Sequence, residues 1–241
     1  MKFIMILLPV LLTGCAARPV PPGGGGSLLS GVETQVATVT RQAMDGDPGA
    51  RVLYARWLAD TGSTAQAREV LLPLADQGDR EAQYRLGCLL MAGLTPDSRR
   101  QAVDRMTRAA TAGLAVAQRT LGDWLLNGSA GTRDPAAALV WYRKSAEQGN
   151  ALAALNTGNA YWTGSGVRAN AGVAMAWYVL AEHNARPAES AVRRLAQQMR
   201  VRAMMLSAKQ GRLSAARALA EQYLRRYGRP GVPVTPLPGG A

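Results

Sequence analysis

Histidine occurs once and cysteine twice in the 241 residues of this chain. That scarcity argues against a protein-built zinc site and leaves a Ser-His-Asp machine a single imidazole to draw on. Aromatic residues make up 5%, with one phenylalanine, which is too few for a β-sandwich core. Acids are also short: 16 stand against 3 lysines and 25 arginines, a net charge of +12. Such a balance suits nucleic acid, anionic lipid or acidic polysaccharide, and does not choose among them. At 18% charged and 48% apolar, the chain is neither a disordered polyelectrolyte nor a multi-span membrane protein. What is plentiful is alanine, which suits helices packed closely through small side chains.

Long apolar runs are missing too. The longest, Phe3 to Leu12, follows Lys2 and spans ten residues. As a helix it rises about 15 Å, half of a bilayer's roughly 30 Å hydrocarbon core, so it reads as a secretory signal and not as a span. It closes in Leu12-Thr13-Gly14-Cys15, which resembles the lipobox of bacterial lipoproteins. That resemblance implies removal of residues 1–14, diacylation of the Cys15 thiol and acylation of the new amino terminus, a stable anchor. Ala16-Ala17 lacks the aspartate associated with inner-membrane retention, so the resemblance implies an outer-membrane anchor facing the periplasm. With Cys15 acylated, no intramolecular disulfide is expected, and Cys88 reads as an inert, half-buried helix residue.

Residues 15–26 carry the acylated cysteine and a Pro/Gly linker, RPVPPGGGG, which cannot bury a core. The end of the chain, 229–241, is a proline-rich tail of the same kind. Between them lies a periodicity. Ala82-Gln-Tyr-Arg-Leu86-Gly87, Ala117-Gln-Arg-Thr-Leu121-Gly122 and Ala153-Ala-Leu-Asn-Thr157-Gly158 recur at spacings of 35 and 36 residues. Each is followed six residues later by a glycine: Gly93, Gly128 and Gly164. Ala138-Leu-Val-Trp141-Tyr142 recurs as Ala174-Met-Ala-Trp177-Tyr178. Each unit reads as helix, glycine turn, helix, glycine turn, with Asp134 and Asn170 as N-caps. A single pair cannot bury its apolar stripe, so the units must stack into an all-α solenoid.

These residues resemble the Sel1-like repeat, a relative of the tetratricopeptide repeat with units of about 36 residues. The segment from Ala138 to Asn150, AxxWYxKSAExGN, carries the likeness most clearly. The unit from Ala153 loses its terminal glycine at Ala185, and the unit from Ala82 has Arg105-Met106 where the aromatic pair belongs. Residues 50–186 are assigned to repeats. The stretch 27–49 is read as an N-terminal capping helix, and 187–228 as a basic C-terminal helix pair that caps the stack.

No catalytic signature emerges. The run Gly164-Ser-Gly-Val-Arg-Ala-Asn-Ala-Gly172 lacks phosphate-loop spacing and coincides with an interhelical turn. Asp45-Gly-Asp47 reads as a capping loop, His183 as a satisfied or solvent-facing imidazole, and Trp141 and Trp177 as core, while Trp124 and Trp162 are more open to binding. Two first-helix columns change from unit to unit and are therefore expected to face a partner: Tyr84, Arg119, Leu155 and Cys88, Asp123, Asn159. From Arg193 to Arg229 there are ten basic residues and one acid, Glu221. Arg193, Arg194, Arg200, Arg202, Arg225 and Arg226 form the expected basic patch, either a solvated face or a dock for a polyanion.

The resemblance implies a non-enzymatic scaffold without cofactor or metal, binding an envelope protein, as Sel1-like lipoproteins do in exopolysaccharide secretion complexes. A small-molecule substrate is not expected, and nucleic acid is at odds with export. The alternative is an anionic glycan, peptidoglycan or acidic exopolysaccharide, held by the basic helices.

Overall fold

The computed structural model describes residues 37–93 and 95–232. The signal, Cys15, the linker, residues 27–36 of the expected cap and most of the tail lie outside the described residues. Among the described residues every regular element is helical. Residues 37–44 form α1, followed by α2 (Pro48–Asp60), α3 (Thr64–Asp76), α4 (Arg80–Met91) and α5 (Pro96–Thr111). Then come α6 (Ala115–Asn127), α7 (Pro135–Glu147), α8 (Ala151–Thr163) and α9 (Ala171–Asn184). A 3-10 turn at Pro187–Glu189 leads into α10 (Ser190–Lys209) and α11 (Leu213–Tyr227). No helix among the described residues is long and apolar enough to cross a membrane.

Five helices, α2, α4, α7, α8 and α9, start where a side chain satisfies an early N–H group. Asp47, Asp79, Asp134, Asn150 and Asn170 each accept from the backbone N–H three residues on, at 2.6 to 3.1 Å. The Asp45-Gly-Asp47 loop is thus a cap, as expected. Helices α6 and α8 end on left-handed glycines, Gly128 (φ 83°) and Gly164 (φ 78°). Where the repeat lacks its glycine, α9 stops instead on an extended Ala185, two residues before Pro187. Gly166, with φ +73°, is held so tightly against α7 that a Cβ there would lie 2.4 Å from the Pro135 carbonyl oxygen. The glycine-rich run is therefore a structural turn.

The chain divides into two compact units, the first ending at Ala109 and the second beginning at Ala110. In the first, α2 packs on α3 and α3 on α4 through Ala55, Leu58, Ala67, Leu71 and Leu86, all buried. In the second, α6 packs on α7, α7 on α8, α8 on α9, and both α10 and α11 on α9. Helix α9 is apolar nearly all round. Its Met175, Trp177, Tyr178 and Leu180 are at most 2% exposed, because neighbours cover it from several sides.

Candidate recognition surface

The columns expected to face a partner begin at the glycines of the first helices. Gly122 and Gly158 seat the rings of Tyr142 and Tyr178 so closely that a Cβ would lie 2.7 and 2.6 Å from the ring carbons. The ring's hydroxyl then falls on the next residue of the same first helix. Tyr142 donates to Asp123 at 2.8 Å, and Tyr178 donates to Asn159 at 2.9 Å. At the equivalent place in α4 and α5, Met106 lies over Gly87, and no hydroxyl exists. Cys88 then stands where the other two repeats have an acceptor. The column Cys88, Asp123, Asn159 thus varies with the tyrosine column, and its variation is that of an internal bond.

Asp123 is the centre of a larger network. It pairs with Arg119 one turn earlier on α6 and accepts from Asn156 Nδ2 on α8 at 3.3 Å as well as from Tyr142 on α7. Three helices are therefore fastened to one carboxylate. Burial raises its pKa above the usual carboxylate value, against the lowering effects of Arg119 and of the Tyr142 hydroxyl. Burial also raises the Tyr142 and Tyr178 phenols, with the Asp123 charge adding to the shift at Tyr142. A carboxylate so committed fastens helices together and has little left with which to bind a ligand.

The other column is corrected more sharply. Tyr84, Arg119 and Leu155 are 7%, 6% and 2% exposed, so they lie in the interior and not on an open face. Variation between repeats thus accompanies burial here and does not by itself mark a ligand-facing column. Cys88 is half-buried. Trp124 is buried, contrary to its expected availability, whereas Trp162 is half-buried. Trp177 is core, stacked among Tyr223 and Tyr227 of α11 with ring centroids 4.8 and 6.4 Å away. Its counterpart Trp141 is only half-buried, with the Lys144 ammonium 4.4 Å over its ring. His183 Nε2 lies 3.4 Å from the Arg229 carbonyl oxygen, beside Asn184, which bonds to Tyr227 and Arg229.

The basic patch also divides. Arg193 donates to the Ala185 carbonyl and Arg200 pairs with Glu182 of α9 at 2.9 Å, so both serve helix packing. Arg194, Arg202, Arg225 and Arg226 are exposed. Arg225 lies 3.7 Å from Glu221, and the Arg226 guanidinium lies over Tyr227.

Sequence reasoning missed a repeated tie. Arg51 donates to Ala43, Gln83 to Ala75, Gln118 to Ala110 and Arg193 to Ala185, each reaching the carbonyl eight residues earlier. A long donor near the start of one helix thus bonds a carbonyl at the end of the helix before, which at Ala43, Ala75 and Ala110 also accepts from the glycine N–H three residues on. The signal was present as the Gln after two of the three motif alanines, at 83 and 118. Among the described residues, no three His, Cys, Asp or Glu side chains are grouped to hold a metal ion.

The helix pairs α4–α5, α6–α7 and α8–α9 coincide with matches to the Sel1 repeat family at residues 80–114, 115–150 and 151–182. The chain carries three Sel1 repeats. The α2–α3 pair precedes them as a shorter pair outside the matched residues. Two solved structures extend the likeness beyond the Sel1 repeats themselves. A protective antigen present in uropathogenic Escherichia coli strains, displaying an SLR fold, is 28% identical with a TM-score of 0.64. The similarity covers 80% of this chain and 41% of that one. A Sel1 repeat protein from Oxalobacter formigenes is 30% identical with a TM-score of 0.54, over 66% of this chain and 48% of that one. The chain spans less than half the length of either neighbour. No curated protein matches the sequence. The architecture is an all-α solenoid of Sel1 repeats.

Proposed function

We propose that this chain is a non-catalytic scaffold whose Sel1 repeats bind another protein of the cell envelope, in a secretion or exopolysaccharide-export assembly. The observation that carries the reading is the tandem of three Sel1 repeats, since such repeats generally mediate protein–protein interaction. The lipobox supports a lipid anchor at Cys15 and an outer-membrane location facing the periplasm. A Cys15→Ser variant that still incorporates an alkyne fatty acid would sink the anchor.

The partner is tested by capture from detergent-solubilised envelopes, with and without glycosidase treatment. The comparison is a variant lacking one whole repeat, residues 115–150. A protein retained by the full chain through glycosidase treatment, and lost with the shortened one, is expected. Retention of glycan alone would replace the scaffold reading with the anionic-glycan reading, which the exposed Arg194, Arg202, Arg225 and Arg226 support.

A further inference from the structure

Large apolar side chains are exposed unevenly in this molecule. Four of those on the described surface sit on one helix, α10: Leu195 (43%), Val201 (41%), Met205 (66%) and Leu206 (37%). Helix α10 buries its opposite side. Val192, Ala196, Ala203 and Ser207, at helical spacing, face the protein. Half a turn away runs the row 194, 198, 201 and 205, and about a quarter turn from the buried side runs the row 195, 202 and 206, so arginine and apolar residues alternate over one arc of roughly 140°.

The charge on this face has one sign. Helix α10 contains no Asp or Glu in its 20 residues. Of its five cations, Arg193 and Arg200 turn inward to Ala185 and Glu182, and Gln197 also reaches Glu182 at 3.0 Å. The nearby acid of α9 is thereby engaged. Arg194, Arg202 and Lys209 remain exposed among the apolar side chains. A solvated helix face ordinarily mixes both signs and keeps methionine and leucine out of water.

We propose that the outer face of α10 docks on a surface of anionic phospholipid headgroups, with Leu195, Val201, Met205 and Leu206 entering the bilayer interface. The positive face is complementary to phosphate, and long arginine side chains hold their guanidinium groups at headgroup level while apolar neighbours sink below. A soluble polyanion satisfies the arginines but leaves four apolar side chains in water. A helix lying in the interface satisfies both, and α10, at about 30 Å, is long enough to place all four on the bilayer at once. This stands apart from the protein-partner reading, which places recognition on the Sel1 repeats.

The test uses residues 15–241 carrying Cys15→Ser, so that no acyl chain contributes, with vesicles of phosphatidylcholine alone or mixed with phosphatidylglycerol. Co-sedimentation with the anionic vesicles only is expected. Arg194→Glu with Arg202→Glu should weaken it about tenfold at low salt, where charge is least screened. Val201→Asp with Met205→Asp should weaken it at low and high salt alike. A Met205→Trp variant should show blue-shifted emission on anionic vesicles, which reports entry into the interface without any charge change. Both double variants should keep the parent's helical circular dichroism, since all four positions are exposed. Failure to bind anionic vesicles overturns the proposal. Full binding by the aspartate variant, with inorganic polyphosphate competing for the same face, replaces it with a polyanion site. An envelope protein lost with these variants, when vesicles do not bind, makes α10 a protein-docking face instead.

Discussion

At the residue scale the repeats are organised by a glycine, a tyrosine and the acceptor beside the glycine. An alanine in place of a mid-helix glycine ordinarily stabilises a helix by about 0.5–1 kcal/mol. At Gly158 the added Cβ would lie 2.6 Å from Tyr178 Cε1, in a core that cannot expand freely. Overpacking of this kind costs about 1–3 kcal/mol, so Gly158→Ala should destabilise the protein on balance. Gly87→Ala meets the flexible end of Met106 at 3.5 Å, with backbone atoms at 3.2 and 3.3 Å, and should cost less. Urea denaturation of the two variants decides it, and a more stable Gly158→Ala would show that the seat is loose. Asp123 supplies a pH dependence. Its folded pKa is raised by burial, so the native chain holds this proton to higher pH than the unfolded chain does. Its contribution to stability is complete below the unfolded value near 3.9 and is lost as pH rises through the folded value. Carbon NMR of the carboxyl should show a midpoint above the usual aspartate value, moving higher in Tyr142→Phe, which removes a hydrogen bond to the charged form. A midpoint at or below the usual aspartate value would contradict this.

At the scale of elements, the helices are joined by bonds that cross from one to the next. Gln118 is 5% exposed, donates to Ala110 at 3.1 Å and accepts from Gln148 at 2.7 Å. It therefore connects the end of α5 to the start of α6 and the end of α7. Gln118→Met preserves length and apolar contact but leaves a buried carbonyl and the Gln148 amide without this partner. The Ala110 carbonyl keeps the Gly113 N–H at 3.1 Å and the Gln148 amide keeps the Lys144 carbonyl at 3.4 Å, so the expected cost is that of lost hydrogen bonds, about 0.5–1.5 kcal/mol each, read as a lower denaturation midpoint with an unchanged m-value. An unchanged midpoint would show that water replaces the glutamine. These ties also explain why the turns are short: a glycine reverses the chain, and the glutamine or arginine that follows closes the helix end just left behind.

At the scale of the whole molecule, the question is how a stack of pairs ends. Helices α10 and α11 cover α9 on the side where another repeat would otherwise pack, and Trp177, 1% exposed, fills the space against Tyr223 and Tyr227. Trp177→Ala should cost about 3–5 kcal/mol and expose the last Sel1 repeat, seen as a lowered melting temperature and increased binding of a hydrophobic dye. Near-native melting would mean that the C-terminal helices hold the second unit without it. The outer side of the same pair carries the arginines. Arg193 and Arg200 are held inward by the Ala185 carbonyl and by Glu182, whereas Arg194 and Arg202 face outward on a helix without an acid and Arg225 lies 3.7 Å from Glu221 of its own helix.

The repeat period, the helical class, the caps at Asp134 and Asn170 and the turn at Gly164 were legible in the sequence. Each depends on local chemistry, on the reach of a side chain to a nearby N–H or the backbone freedom of glycine, and such chemistry is written in neighbouring letters. The orientation of Tyr84, Arg119, Leu155 and Asp123 was not legible in this way. A varying column on a helix is the same string whether it faces a partner or the helix 19 or 33 residues away, as Asp123 faces Tyr142 and Asn156. The basic run from 193 to 229 was visible as charge, but which arginines are spent on α9 depends on where Glu182 and the Ala185 carbonyl lie in space. Composition and periodicity determine that these helices form and stack. Only the packed structure decides which polar side chains are consumed in the stacking, because that depends on distances between residues far apart in the chain.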